Sequence, residues 1–110
     1  MKFLTIGDLQ GRINHWQQRE FRPNGEAPNP LADALVICEE AGEVARCAVK
    51  AHQNIRGGPE HWNAELRKEL ADVIIATLAA FSNAGIDATE AIEERWAVVG
   101  ARKFASKDEA

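Results

Sequence analysis

Apolar residues recur at three- and four-residue spacing through four stretches of the chain, separated by segments rich in Pro, Gly and Asn. That periodicity predicts helices and leaves no convincing strand. Thr5-Ile6-Gly7-Asp8 reads as a capping box with Asp in the glutamate position, opening a helix from about Ile6 to Glu20 with Ile6, Leu9, Ile13, Trp16 and Phe21 along one stripe. Phe21 to Asn29 is a loop carrying Pro23, Asn24-Gly25 and Pro28. Asn29-Pro30 supplies an N-cap and a first-turn proline for a second helix reaching about His52. Gln53 to Pro59 is a second loop. A third helix is expected from Glu60 to Ser82-Asn83, and Asp87-Ala88-Thr89-Glu90 caps a fourth extending toward Phe104. Residues 105–110 are polar and read as a frayed tail. The expectation is a single all-α domain over residues 1–110, an antiparallel four-helix bundle-like fold. The short Asn83–Asp87 connection predicts antiparallel neighbours for the last two helices.

Two acidic clusters interrupt otherwise apolar helices. In the second helix Leu31, Leu35, Cys38, Gly42, Ala45 and Val49 form one apolar stripe, while Glu39, Glu40 and Glu43 share another arc that also holds Val36 and Cys47. In the third, Glu65, Glu69 and Asp72 share an arc that continues as Val73, Ala76 and Ala80, and Asp72 is the only strongly polar residue between Leu70 and Phe81. A helix apolar nearly all round is normally buried. Buried carboxylates need pairing, protonation or a metal. Lys68 flanks Glu69 about 100° round the wheel and does not meet it. Mg²⁺, which favours carboxylate oxygens and often binds together with substrate phosphates, resolves the conflict, with Mn²⁺ as the alternative ion. An E-E-x-x-E run alone more often marks a solvated face. It is the conjunction with E-x-x-D, each inside an apolar helix, that points to a site.

The helices carrying Glu39, Glu40, Glu43 and then Glu69 and Asp72 resemble the all-α nucleotide pyrophosphohydrolases: the MazG-like family, related to dimeric dUTPases and phosphoribosyl-ATP pyrophosphatases. The likeness spans roughly Leu31 to Phe104. The approach through Trp16, Phe21 and Pro30 also resembles MazG-like members acting on deoxycytidine nucleotides. The resemblance implies hydrolysis of nucleoside triphosphates to the monophosphate and pyrophosphate, in a house-cleaning role. It implies Glu40, Glu43, Glu69 and Asp72 as metal ligands, with Glu39 behind them or acting as base toward the attacking water, so that Glu39 and Glu40 are the catalytic candidates. It further implies a homodimer or a tetramer, with helices from two chains completing the bundle. The last helix departs from the family pattern: Arg95 stands where a Lys is common, Val99 where an Asn is common, and Arg102-Lys103-Phe104 matches the usual close.

Composition narrows the alternatives. The 110 residues are 45% hydrophobic and 27% charged with net charge −4, which is no footprint for a nucleic-acid polyanion. No apolar run reaches the roughly 18–20 residues of a membrane span. Met1 to Ile6 is too short and too quickly polar for a signal peptide, and Cys38 and Cys47 project about 180° apart on one helix. Reduced, mostly buried thiols in a cytoplasmic protein are expected. Lys50, Arg56, Arg95, Arg102 and Lys103 are candidate phosphate cations, and Trp16 and Trp62 candidate base-stacking residues. The ordinary alternatives are solvated cations, a core Trp16 and a packing role for Trp62. His15, His52 and His61 lack ligand spacing and read as surface residues. Competing readings are a di-iron bundle, disfavoured because no Glu has a His three residues later, a non-catalytic helical oligomer, and a phosphoribosyl-ATP pyrophosphatase.

Overall fold

A computed structural model describes residues 4–53 and 58–104. The described residues form four helices and no strand: α1 (Ile6–Glu20), α2 (Pro30–His52), α3 (Gly58–Asn83) and α4 (Ala88–Val99). The capping chemistry explains three of the four starts. The Thr5 hydroxyl accepts from the Asp8 N–H while Asp8 accepts from the Thr5 N–H. Asn29 Oδ1 accepts from the Leu31 and Ala32 N–H groups, and Asp87 accepts from the Glu90 N–H. Each satisfies donors that the helix itself leaves open.

Helices α2 and α3 pack as an antiparallel hairpin, with Lys50 beside Trp62 at one end and Asp33 beside Asn83 at the other. α1 lies across the upper end of α3. Ile13, Leu78 and Ala88 form the small core there, with Leu9, Ala79 and Phe81 packed against it. α3 ends in a Schellman motif: the Ile86 N–H donates to Phe81 O, the Gly85 N–H donates to Ser82 O, and Gly85 takes φ +71°.

This turn corrects two expectations. The chain bends by 112° between α3 and α4, so α4 is not an antiparallel neighbour of α3. It packs on α1 and on the end of α3. The helix also stops at Val99, where Gly100 caps it, so Arg102, Lys103 and Phe104 lie beyond it. α3 begins two residues earlier than the proline pattern predicts. No single helix among the described residues is long and apolar enough to cross a membrane.

The chain is open for its size. It exposes 8628 Å² with a Cα radius of gyration of 17.6 Å. A compact chain of 12.1 kDa exposes about 6,000 Å² with a radius near 13 Å. Only Ile13, Gln17, Cys47, Leu78 and Ala88 are buried among the described residues. The whole apolar stripe of α2 is exposed, with Leu31 69%, Leu35 61% and Val49 52% accessible, and so are Leu70 and Ile74 on α3. The nearly all-apolar α3 is therefore not buried within one chain. The expectation of mostly buried thiols is half met: Cys47 is buried and Cys38 is exposed, both free.

Gln10 ties α4 to the body. Its Nε2 donates to Ile86 O at 2.8 Å, and its Oε1 accepts from the fully buried Ala88 N–H at 2.9 Å. Gln10→Ala strands that N–H and lowers stability by about 2 kcal/mol in urea unfolding. A loss under about 0.5 kcal/mol shows that another contact anchors α4.

Candidate metal centre and adjoining pocket

Glu40 lies on the α3-facing side of α2, and Glu69 and Asp72 lie one turn apart on α3. The antiparallel pairing brings a carboxylate oxygen from each to within 4.8 Å of the others. Glu40 and Glu69 are half-buried and Asp72 is exposed. The cluster thus sits in an open groove rather than in the dry interior that the sequence suggests, because only two helices of one chain flank it. Burial first, and then the carboxylates of Asp72, Glu69, Glu39 and Glu43, hold the Glu40 carboxyl above the ordinary glutamate value.

The other acids stand differently. Glu43 is half-buried and near enough to act on Glu40, and its carboxylate meets Arg46 at 3.5 Å. Glu39 is exposed beside Glu40. Glu65 is drawn off by Lys68 at 3.0 Å; that hydrogen bond lowers the Glu65 carboxyl and raises the Lys68 ammonium. No ion pair shorter than 4.0 Å meets Glu40, Glu69 or Asp72 among the described residues. Three hard oxygen donors, with no His or Cys in the set, fit a hard divalent cation.

Glu40 and Asp72 also line a pocket of about 610 Å³ that opens upward from the cluster. Its walls are Trp16 and Phe21 from α1 and its cap, Pro28 and Ala32, Val36 from α2, and Ile75, Ala76 and Ala79 from α3. Trp16 and Phe21 meet edge to face at 5.1 Å. Trp16 is 41% exposed on this wall, so it is a pocket residue and not the core residue that its helical spacing suggests. The polar groups on the wall are Gln17, Arg22, Asn29 and Asp33. Gln17, Arg22 and Asp33 belong to a connected chain in which Arg22 donates to Asn83 Oδ1 at 3.0 Å and Asn83 Nδ2 donates to Gln17 and to both oxygens of Asp33.

The candidate cations are scattered. Lys50 Nζ sits 5.0 Å over the Trp62 ring, and His61 meets the same ring edge to face at 4.8 Å. That pair lies on the α2–α3 seam two helical turns below Glu69, about 10 Å along the axis. Trp62 is therefore in line with the acids but away from the aromatic pocket. Arg95, Arg102 and Lys103 are exposed, and α4 makes no contact with α2, so a single chain does not bring these cations to the acids. The 112° turn is the physical reason. Arg56 lies outside the described residues. His15, His52 and His61 are exposed, as their spacing predicts.

Periodicity alone misses Gln17, Arg22, Asp33 and Asn83. Each has an ordinary local reading: Asp33 complements the helix dipole in the first turn of α2, and Asn83 ends α3. Their convergence is tertiary and leaves no mark on any one helical wheel.

The raised Glu40 carboxyl gives a signed expectation. Such a group binds its proton more tightly in the folded state. Metal-free protein therefore loses stability as pH rises from the ordinary carboxylate value through the raised one, and keeps that deficit above it. Melting in EDTA should show Glu40→Gln more stable than the parent at neutral pH, with the gap closing in acid. Mg²⁺ at ten times its Kd should raise the parent melting temperature by about 5 °C at neutral pH, and the variant's far less. An unchanged parent in Mg²⁺ removes the metal centre. No protein-family model, no curated protein and no solved structure matches this chain.

Proposed function

We propose that this protein is a Mg²⁺-dependent nucleoside triphosphate pyrophosphohydrolase that releases the monophosphate and pyrophosphate from surplus or non-standard nucleotides. The observation that carries the reading is one of adjacency: two of three convergent carboxylates, Glu40 and Asp72, line an aromatic-walled pocket. A nucleotide has the matching halves, a planar base and an anionic phosphate chain.

Glu40, Glu69 and Asp72 would hold the ion, with Glu43 completing the set. Bound there, Mg²⁺ neutralises phosphate charge and makes a bound water more acidic. Trp16 and Phe21 take the base and so fix the position of the α-phosphate against the acids. Water attacks the α-phosphorus, the bond to the bridging oxygen breaks, and pyrophosphate leaves. Glu39, exposed beside Glu40 and close enough to act on it, is the carboxylate left to accept the proton from that water. The protein's contribution is mainly position and electrostatics. Pyrophosphate release from a panel of NTPs and dNTPs tests this. Glu40→Gln and Asp72→Asn should each lower kcat at least a hundredfold. Undiminished turnover in either variant refutes the assignment.

We infer also that the working form is a homodimer or a dimer of dimers. The support is the bare α2 stripe, spaced 4-3-4-3-4 from Leu31 to Val49 like a coiled-coil seam, on the face opposite α3. Nothing lies within 4 Å of a Cβ built on Gly42 at its middle, so a second helix can approach closely there. Leu31, Leu35 and Val49, each more than half exposed along that stripe, are the apolar surface that a substantial interface would remove. Light scattering should give two or four times the 12.1 kDa chain mass, and Leu35→Glu should shift it to the monomer. A monomeric parent at micromolar concentration overturns the inference.

A further inference from the structure

We propose that Asp33, together with Asn29, makes the pocket selective for bases with an amidine edge, an exocyclic amine beside an unprotonated ring nitrogen, as in cytosine and adenine. The inference rests on the nucleotide reading of the adjoining site and adds which nucleotides it takes.

Asp33 is a half-buried carboxylate on a mostly apolar wall. No cation lies within ion-pair distance of it among the described residues. Among the described residues its hydrogen-bond partner is Asn83, whose Nδ2 donates to Oδ1 at 3.1 Å and to Oδ2 at 3.0 Å. Asn83 is itself oriented by Arg22, which donates to its Oδ1. The carboxylate is thus held from behind, and both oxygens retain lone pairs. An ionised carboxylate only accepts. The ligand group it recognises is therefore an N–H donor.

One turn earlier, Asn29 offers the opposite polarity. Its Oδ1 is committed to the Leu31 and Ala32 N–H groups at 3.1 and 3.2 Å, which fixes the amide and leaves Nδ2 as the donor on the same wall. An acceptor and a donor one helical turn apart on the lining of one pocket supply the two polarities that the amine and ring nitrogen of an amidine edge require. A lactam edge, as in uracil and hypoxanthine, presents a carbonyl oxygen where the amine would be, and that oxygen would face the carboxylate with no proton between them.

The spacing agrees. Asp33, Val36 and Glu40 lie at i, i+3 and i+7 on one face of α2, and all three line the pocket. Asp33 and Glu40 are separated by two turns, about 10 Å along the axis. That span is comparable to the reach from the amine of a base to the α-phosphate of the same nucleotide. Val36 lies between them, where the body of the base and the sugar would pass.

The test uses matched pairs differing only in amine against carbonyl: cytidine with uridine, and adenosine with inosine. Metal-free protein is titrated with each nucleoside and followed by its indole N–H signals in NMR, and kcat/KM is measured separately for the four triphosphates with Mg²⁺. Losing a hydrogen bond to a charged group corresponds to roughly a tenfold to hundredfold change in affinity. The parent should favour the amine member of at least one pair by that factor, and Asp33→Asn should bring the ratio to within about threefold of one. Equal binding of both members by the parent, or no nucleoside binding, overturns the proposal without recourse to any variant, and so does an unchanged ratio in a folded Asp33→Asn. Nucleoside selectivity without hydrolysis would sink the enzymatic reading and leave the base site standing. Hydrolysis without selectivity would do the reverse.

Discussion

Mutual repulsion among carboxylates is the constraint around which this chain is arranged. Glu40, Glu69 and Asp72 come from two helices, and nothing in their own chemistry holds them together. They are held because α2 and α3 pack along their length, and the antiparallel register that places Lys50 over Trp62 and Asp33 against Asn83 also sets Glu40 opposite the other two. Packing distributed over the hairpin outweighs a local cost, which shows in the Glu40 carboxyl: burial first, and then the neighbouring carboxylates, hold it above its ordinary value. The contrast with Glu65 is instructive. One turn before Glu69 on the same helix, it finds Lys68 at 3.0 Å and is lowered instead. Lys68 gives its ion pair to Glu65 and acts on Glu69 and Asp72 only from beyond ion-pair distance.

The same hairpin accounts for the openness of the chain. α2 sets Val36 and Cys47 among acids on the side that packs on α3, while its continuous apolar stripe, from Leu31 to Val49, is exposed. α3 likewise turns Leu70 and Ile74 outward, and α4 carries Trp96 at 66% exposure. Exposed apolar residues are ordinary singly, but a continuous helical stripe of them is not. The surface excess and the scattered cations have a common origin. Once Gly85 has turned the chain by 112°, α4 is directed away from α2, and neither its apolar side nor Arg95 can serve the groove of its own chain.

Much of the fold is legible in the sequence because it is written in local chemistry. Thr5 with Asp8, Asn29 with Pro30, and Asp87 with Glu90 each announce a helix start through donors that must be satisfied, and α1 and α2 begin and end where that chemistry places them. The acidic pair of motifs is legible for a related reason: a carboxylate inside an apolar run is a contradiction visible on a single wheel. What is not legible is anything set by the angle between helices. The Asn83–Asp87 connection is short enough for a hairpin, yet a Schellman turn closed by Ile86 and clamped by Gln10 sends the chain sideways. Trp16 has core spacing, yet α1 crosses α3 such that the ring forms a pocket wall instead.

The crossing of α1 is also what gives the groove a chemical direction. Without it, the acids would lie on a bare two-helix seam with equivalent openings above and below. α1 is fixed at that level by Ile13 against Leu78 and by Gln17, which donates weakly to Ala79 O at 3.5 Å and accepts from Asn83 at 2.9 Å. Its aromatic end then closes the upper opening only. The pocket is therefore chemically polarised, with the carboxylates of Glu40 and Asp72 and the aromatic rings of Trp16 and Phe21 both on its lining. The polar chain of Arg22, Asn83 and Asp33 connects the three helices that form the pocket. The contacts that dock α1 are thus the same contacts that orient Asp33, so the position of the wall and the polarity it presents are set by one network.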